Sequence, residues 1–171
     1  MGFSFETHYN AKTMAVMARA LRKTVRKKHS RRSHLFGWII TAVALLLMTR
    51  DGFELHLRAV VTLAAVLAIV TALLFEDQIN GYVAKKRMLP GMEKAAAVFT
   101  PEGFTSATEL GKTEWNYDKI VLVAETKDFF VFIFSRSHAQ LYDKTGMKGG
   151  TEDDFRSLIG EVTGKPVQRV G

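Results

Sequence analysis

Two long apolar stretches interrupt an otherwise mixed chain. Leu35 to Met48 reads LFGWIITAVALLLM, with only Gly37 and Thr41 outside the hydrophobic set. Ala59 to Phe75 reads AVVTLAAVLAIVTALLF, with only Thr62 and Thr71 outside it. Neither holds a charge, a Pro, an Asn or a Gln. As helices of 14 and 17 residues they reach roughly 21 and 25 Å, against a hydrocarbon core of about 30 Å. Both are short, and a run of about 10–14 apolar residues also suits a buried core helix of a soluble protein. Two features favour the membrane over that alternative. The runs are apolar on every side, whereas a helix on a soluble domain shows a polar face. The Leu, Ile, Phe and Val residues favour insertion by roughly 2–5 kcal/mol in the first run and 3–6 kcal/mol in the second, with no charge to offset them. Ser33, His34 and Thr49 extend the first span, and thinning or snorkelling absorbs the mismatch. A cleaved signal peptide fits poorly, because the first run begins deep in the chain and a second follows.

The segment before the first run has another pattern. Ala11 to Arg32 lacks Pro, Gly and acidic residues and is rich in helix formers, which predicts one continuous helix. Met14, Met17, Leu21 and Val25 fall at steps of three and four and form a narrow apolar stripe. Around it stand Arg19, Arg22, Lys23, Arg26, Lys27, Lys28, Arg31 and Arg32. Like charges at i, i+4 repel, so this helix needs a counter-surface. The candidates are the anionic inner leaflet, the acidic C-terminal part of the chain and nucleic acid phosphate. Those eight residues are taken as contacts to anionic lipid. No base-reading motif or aromatic platform supports nucleic acid. Residues 1–34 hold nine Lys/Arg and one Glu, while residues 89–171 hold ten basic and twelve acidic side chains. The positive-inside rule then puts both termini in the cytoplasm and the short connector outside.

Beyond Pro90-Gly91 the pattern changes to strands. Ala95–Thr100 and Phe104–Thr108 flank a turn at Pro101-Glu102-Gly103, and Ile120–Val123 is apolar and β-branched. Phe129–Phe134 is apolar on both faces, which predicts a central, covered strand or one with a face on the bilayer or a partner. Ala139–Tyr142 adds a further strand. Thr151 caps a final helix with Phe155, Leu158, Ile159 and Val162 on its buried stripe, ended by Gly164 and Pro166. Antiparallel strands closed by a C-terminal helix describe an α+β barrel or sandwich. Phe3–Thr7 alternates and predicts an extra edge strand on that sheet.

Composition adds exclusions. The chain has 171 residues, 47% hydrophobic, with no cysteine. That rules out disulfides, thiolate metal sites and a cysteine nucleophile. The five histidines show no metal-ligand spacing, and Ser135 and Ser137 lack a nucleophile-elbow context. Gly149-Gly150 precedes three acids that would repel a phosphate, so it reads as a loop. No catalytic, cofactor or metal residue is assigned. Small residues say more: Gly37, Thr41 and Ala44 share one side of the first run, and Ala64, Ala68 and Ala72 share one side of the second. Such faces permit close helix packing, within the hairpin or against a second copy or a partner's span.

An extended N-terminus, a basic helix, two close apolar runs, then Trp115, Ile120, Glu125-Thr126-Lys127-Asp128 and Phe129-Phe130-Val131-Phe132 follow in order. This layout resembles the YcxB-like family of small bacterial membrane proteins. The resemblance implies two passes, a pleckstrin-homology-like (PH-like) domain and no established enzymatic activity. The family's final strand often runs into Pro-Lys, where this chain has Asp143-Lys144. The expected fold class is an α+β membrane protein: a transmembrane two-helix hairpin plus a PH-like antiparallel β-barrel or sandwich closed by a C-terminal helix. The expected divisions are 1–34, a cytoplasmic strand and basic helix; 35–49 and 59–75, the spans; 50–58, an extracytoplasmic loop; 76–92, a juxtamembrane helix and linker; and 93–171, the PH-like domain. The expected role is non-enzymatic. The protein sits in the inner membrane and presents its domain to a protein segment or to anionic lipid headgroups, with membrane lipids, a protein partner or a second copy as partners and no cofactor or nucleic acid. The alternative is an accessory subunit of a larger membrane complex such as a transporter, bound through its spans.

Overall fold

The computed structural model describes residues 2–50 and 57–170. Most of the expected connector, residues 51–56, lies outside the described residues. The chain opens with strand β1 (Phe3–His8) and helices α1 (Ala11–Lys23), α2 (Lys27–Arg50), α3 (Leu57–Leu74) and α4 (Glu76–Lys86). Strands β2 (Lys94–Phe99), β3 (Phe104–Thr108), β4 (Gly111–Trp115), β5 (Leu122–Glu125), β6 (Phe129–Ile133) and β7 (Ala139–Asp143) follow, then helix α5 (Glu152–Thr163) and strand β8 (Val167–Arg169).

The strands form two four-stranded sheets, ordered β1-β2-β3-β4 and β7-β6-β5-β8. All pairings are antiparallel except β5 with β8. The sheets do not close into a barrel, so of the two expected architectures the open sandwich is the one found. They meet where Ser4 exchanges backbone hydrogen bonds with Lys148 and the Asp143 amide donates to Thr7 Oγ1. Between them lies an aromatic core. Phe5, Phe99, Phe104, Phe130, Phe132 and Phe155 are fully buried, and Phe5 and Phe155 approach to 4.8 Å between centroids. Helix α5 supplies Phe155 and Ile159 to this core. Thr151 and Asp154 cap its N-terminus reciprocally, and Gly164 ends it in the left-handed conformation.

Strand β6 is apolar on both faces because both are covered. Phe130 and Phe132 enter the aromatic core. Val131 and Ile133 pack with Ala20, Leu21, Leu141 and Val170 in a second cluster, under α1. The amphipathic helix therefore buries its apolar stripe on the outer face of the second sheet. Asn10 and Thr13 cap it. It stops nine residues short of the expected end: the expected single helix to Arg32 is broken at residues 24–26. No Pro or Gly marks the break. The Thr24 hydroxyl donates to the Ala20 carbonyl at 2.6 Å and the Arg26 amide reaches the Leu21 carbonyl, so local hydrogen bonds replace the helical ladder. Breaking there lets α1 lie on the sheet while α2 departs from it.

The hairpin of α2 and α3 is inserted between β1 and β2, so both ends of the folded domain come from opposite sides of it. Both helices are long and apolar enough to cross a membrane, and only 6% of either apolar window is buried inside the protein. A core hairpin of a soluble protein would be mostly covered. Here Leu35, Leu46, Leu57 and Leu74 are all more than 60% exposed. The shielded positions, His34, Gly37, Thr41, Ala44 and Met48 on α2 and Thr62, Val66, Ile69 and Leu73 on α3, recur at steps of three and four and form the seam.

Candidate functional site

The most ordered polar chemistry at the base of the apolar hairpin is where α1, α2 and α4 converge. Helix α4 starts with Glu76 and Asp77 directly after the apolar α3. Asp77 is buried against α1 and accepts two hydrogen bonds from Arg22, Nε to Oδ1 at 2.7 Å and NH2 to Oδ2 at 2.6 Å. Such bidentate pairing is among the stronger polar contacts in proteins. The Asp77 hydrogen bond raises the Arg22 guanidinium further above its ordinary value. Arg19 adds a longer contact to Asp77 at 3.6 Å. Glu76 accepts from Ser30 Oγ at 3.4 Å and meets His34 Nε2 at 2.6 Å, so it ties the start of α4 to the base of α2. One turn beyond Asp77, Gly81 lies on the backbone of α1: a Cβ there would stand 2.6 Å from Ala15 Cα and 2.9 Å from the Ala11 carbonyl oxygen.

The eight basic residues proposed from sequence therefore divide. Arg19 and Arg22 are engaged by Asp77. Arg26 Nε donates to the Arg136 carbonyl oxygen at 2.5 Å and fastens the elbow to the domain. Lys23, Lys27 and Arg31 border an open cleft with Arg169 of β8. Lys28 is exposed, and Arg32 lines an adjoining hollow that reaches Leu35. The small-residue positions divide too. Gly37 lies at the seam, where an added Cβ would stand 3.0 Å from Leu73 Cδ1, and the Thr41 hydroxyl is satisfied by the Gly37 carbonyl at 2.9 Å. Ala44 lies on the same seam, but Ala64, Ala68 and Ala72 are exposed.

A second polar centre was missed in the sequence. Glu125, at the end of β5, is 5% exposed and sits between Lys144 Nζ at 2.5 Å and Arg156, whose NH2 and Nε reach its two oxygens at 2.7 and 2.9 Å. Lys144 also lies 4.8 Å from the Phe130 ring centroid. Burial pushes the Glu125 carboxyl up, but the hydrogen bonds from Arg156 and Lys144 outweigh it and hold the group down at about 2. The centre pins α5 and the segment after β7 to β5. Among the described residues, no three His, Asp or Glu side chains converge as a metal-ligand set.

Replacing Asp77 by Ala should lower stability by about 2–3 kcal/mol, since it leaves a half-buried guanidinium without its acceptor. Thermal unfolding of the detergent-solubilised chain measures this. Arg22→Ala combined with Asp77→Ala should cost less than the two single changes added together.

A search of curated proteins and a search of solved structures each return no match. Residues 99–159, from the end of β2 to Ile159 in α5, match the family model of the YcxB-like protein, in line with the resemblance carried by Trp115 and Glu125–Phe132.

Proposed function

We propose that this chain is a membrane-anchored, non-enzymatic binding module. In this reading α2 and α3 cross the inner membrane, both termini are cytoplasmic, and the two-sheet domain is PH-like and presented at the inner face. The observation that carries it is the sleeve of exposed Leu, Ile, Val and Phe side chains around the hairpin, from Leu35 to Phe75. Water solvates such a surface badly, and lipid chains or a partner's apolar surface are its natural cover. The cations gather at the domain end of the same hairpin, as the positive-inside rule requires of a cytoplasmic flank. The domain has an open strand at β4, the outer member of its sheet, on which an extended protein segment can add by main-chain pairing.

Cell fractionation tests the anchor. The chain is expected in the membrane pellet after alkaline carbonate washing and in the soluble fraction only with detergent. Recovery in the supernatant without detergent overturns the proposal. Tags on either terminus should be reachable only in inverted vesicles, and labelling from the outer side reverses the orientation.

The accessory-subunit reading keeps one observation in its favour: Ala64, Ala68 and Ala72 face outward while the α2–α3 seam is already filled. Ala64→Leu with Ala68→Leu should abolish association with a partner's spans under that reading, and leave association unchanged if the domain makes the contacts.

A further inference from the structure

We infer that the cleft between the α1–α2 elbow and β8 holds the phosphate headgroup of an anionic phospholipid. This inference deepens the membrane-anchored reading and rests on it. The cleft has a volume of about 430 Å³ and is lined by Arg22, Lys23, Lys27, Ser30, Arg31 and Arg169. A second hollow of about 430 Å³ shares Arg22, Ser30 and Arg31 with it and ends at Leu35. No carboxylate lines either one. The nearby acids are already engaged: Asp77 accepts from Arg22, Glu76 from Ser30 and His34, and Glu125, beside Arg169 on the neighbouring strand, from Lys144 and Arg156. Among the described residues, Lys23, Lys27, Arg31 and Arg169 have no ion-pair partner within 4.0 Å, unlike Arg19 and Arg22 beside them.

Four cations converging on one concavity repel each other, and a multiply accepting anion relieves that repulsion. The shape selects the kind of anion. Arg31, Leu35 and Ile39 follow one another at steps of four along one line of α2, and Leu35 and Ile39 are exposed at 63% and 52%. Through the second hollow, the cleft therefore borders the apolar surface of the hairpin at Leu35. A phosphodiester headgroup lodged among Lys27, Arg31 and Arg169 has its acyl chains delivered along Leu35 and Ile39. Free phosphate uses only the polar half of this surface, and a nucleic acid strand leaving the cleft meets the bilayer. Arg169 is brought in by β8, three residues paired to β5 at Val123, Ala124 and Glu125, so the site is built jointly by the folded domain and the elbow of the anchor.

The test is native mass spectrometry of the full-length chain released from detergent micelles containing phosphatidylglycerol, phosphatidylcholine or inorganic phosphate. The intact chain is expected to keep phosphatidylglycerol in preference to phosphatidylcholine. The triple variant Lys27→Gln/Arg31→Gln/Arg169→Gln should retain it about a hundredfold less well. A control, Lys86→Gln/Arg87→Gln/Lys94→Gln, removes the same charge from exposed positions outside the cleft and should retain it unchanged. Equal loss in both variants, or in neither, overturns the cleft. Inorganic phosphate that binds alone and displaces the lipid overturns the lipid assignment and leaves a free-phosphate site. Thermal unfolding within a degree or so of the parent, the expected result, excludes misfolding as the cause; if the triple variant unfolds early, Arg169→Gln alone is read instead and must still weaken retention. A chain that remains in the membrane pellet while failing this test overturns the cleft but leaves the anchor standing.

Discussion

Gly81→Ala should destabilise the protein, although the same exchange inside a helix ordinarily stabilises it by about 1 kcal/mol. The reason is backbone contact. A methyl at Gly81 would stand 2.6 Å from Ala15 Cα and 2.9 Å from the Ala11 carbonyl oxygen, and neither atom can rotate away as a side chain would. Helix α1 must then shift from α4, which strains the Arg22–Asp77 pair one turn away. A loss of about 2–3 kcal/mol is expected, and Gly81→Leu should detach α1 altogether. Gly160 in α5 is the internal control. It is also helical, but a Cβ there meets nothing within 4 Å, so Gly160→Ala should raise the melting temperature. Thermal unfolding of both variants in detergent, with proteolytic sensitivity of residues 24–26 as a local probe, checks the opposite signs. A stabilising Gly81→Ala would show that α1 and α4 do not touch in the way described.

Glu125→Ala should strongly destabilise the domain. It leaves Lys144, whose side chain is 7% exposed, with Glu152 at 2.8 Å as its remaining carboxylate; breaking a buried pair from one side costs about 3–5 kcal/mol when no partner remains, so a loss of about 2–3 kcal/mol is expected. The same centre sets an acid limit. Glu125 is held down at about 2 when folded, against an ordinary value of 4.5. Its contribution is therefore complete above about pH 4.5, and it is lost as the pH falls from there toward 2. Linkage puts that contribution at about 3 kcal/mol. Urea unfolding of the parent should weaken steeply across this window, and Glu125→Gln should be less stable at neutral pH with a flatter acid limb. Parallel acid limbs in the two proteins would remove Glu125 from this role.

Much of the fold is legible from periodicity. The apolar runs, the edge strand at Phe3–Thr7, the doubly covered strand at Phe129–Ile133 and the Thr151 cap each follow from local pattern. What is hidden depends on distant partners. Strand β8 is three residues long and exists because Val167, Gln168 and Arg169 find β5, which no local propensity announces. Strand β4 reads Gly-Lys-Thr-Glu-Trp and is exposed along most of its length, so it offers no alternation. Glu125 looks like the first polar residue of the Thr126–Asp128 turn, and its burial is decided by Lys144 and Arg156 far along the chain. The break after Lys23 has no Gly or Pro, so composition predicts continuity where packing on the sheet requires a bend. Gly81 alone left a trace: an isolated glycine inside a helical pattern often marks a close approach. The basic residues were legible as a set but not in their division, since only the folded elbow separates those bound to Asp77 from those around Arg169.

Because the apolar hairpin interrupts the domain between β1 and β2, the order of biosynthesis matters. Phe3 and Phe5 leave the ribosome well before Phe99, Phe130 and Phe155, the rings they pack against. The nascent chain thus carries two greasy residues without a home until both apolar helices have been translated. Closure of the sandwich therefore waits until the hairpin has been made. A polypeptide whose hairpin stalls displays an unsatisfied first strand beside loose phenylalanines, the kind of exposed surface that chaperones and proteases recognise.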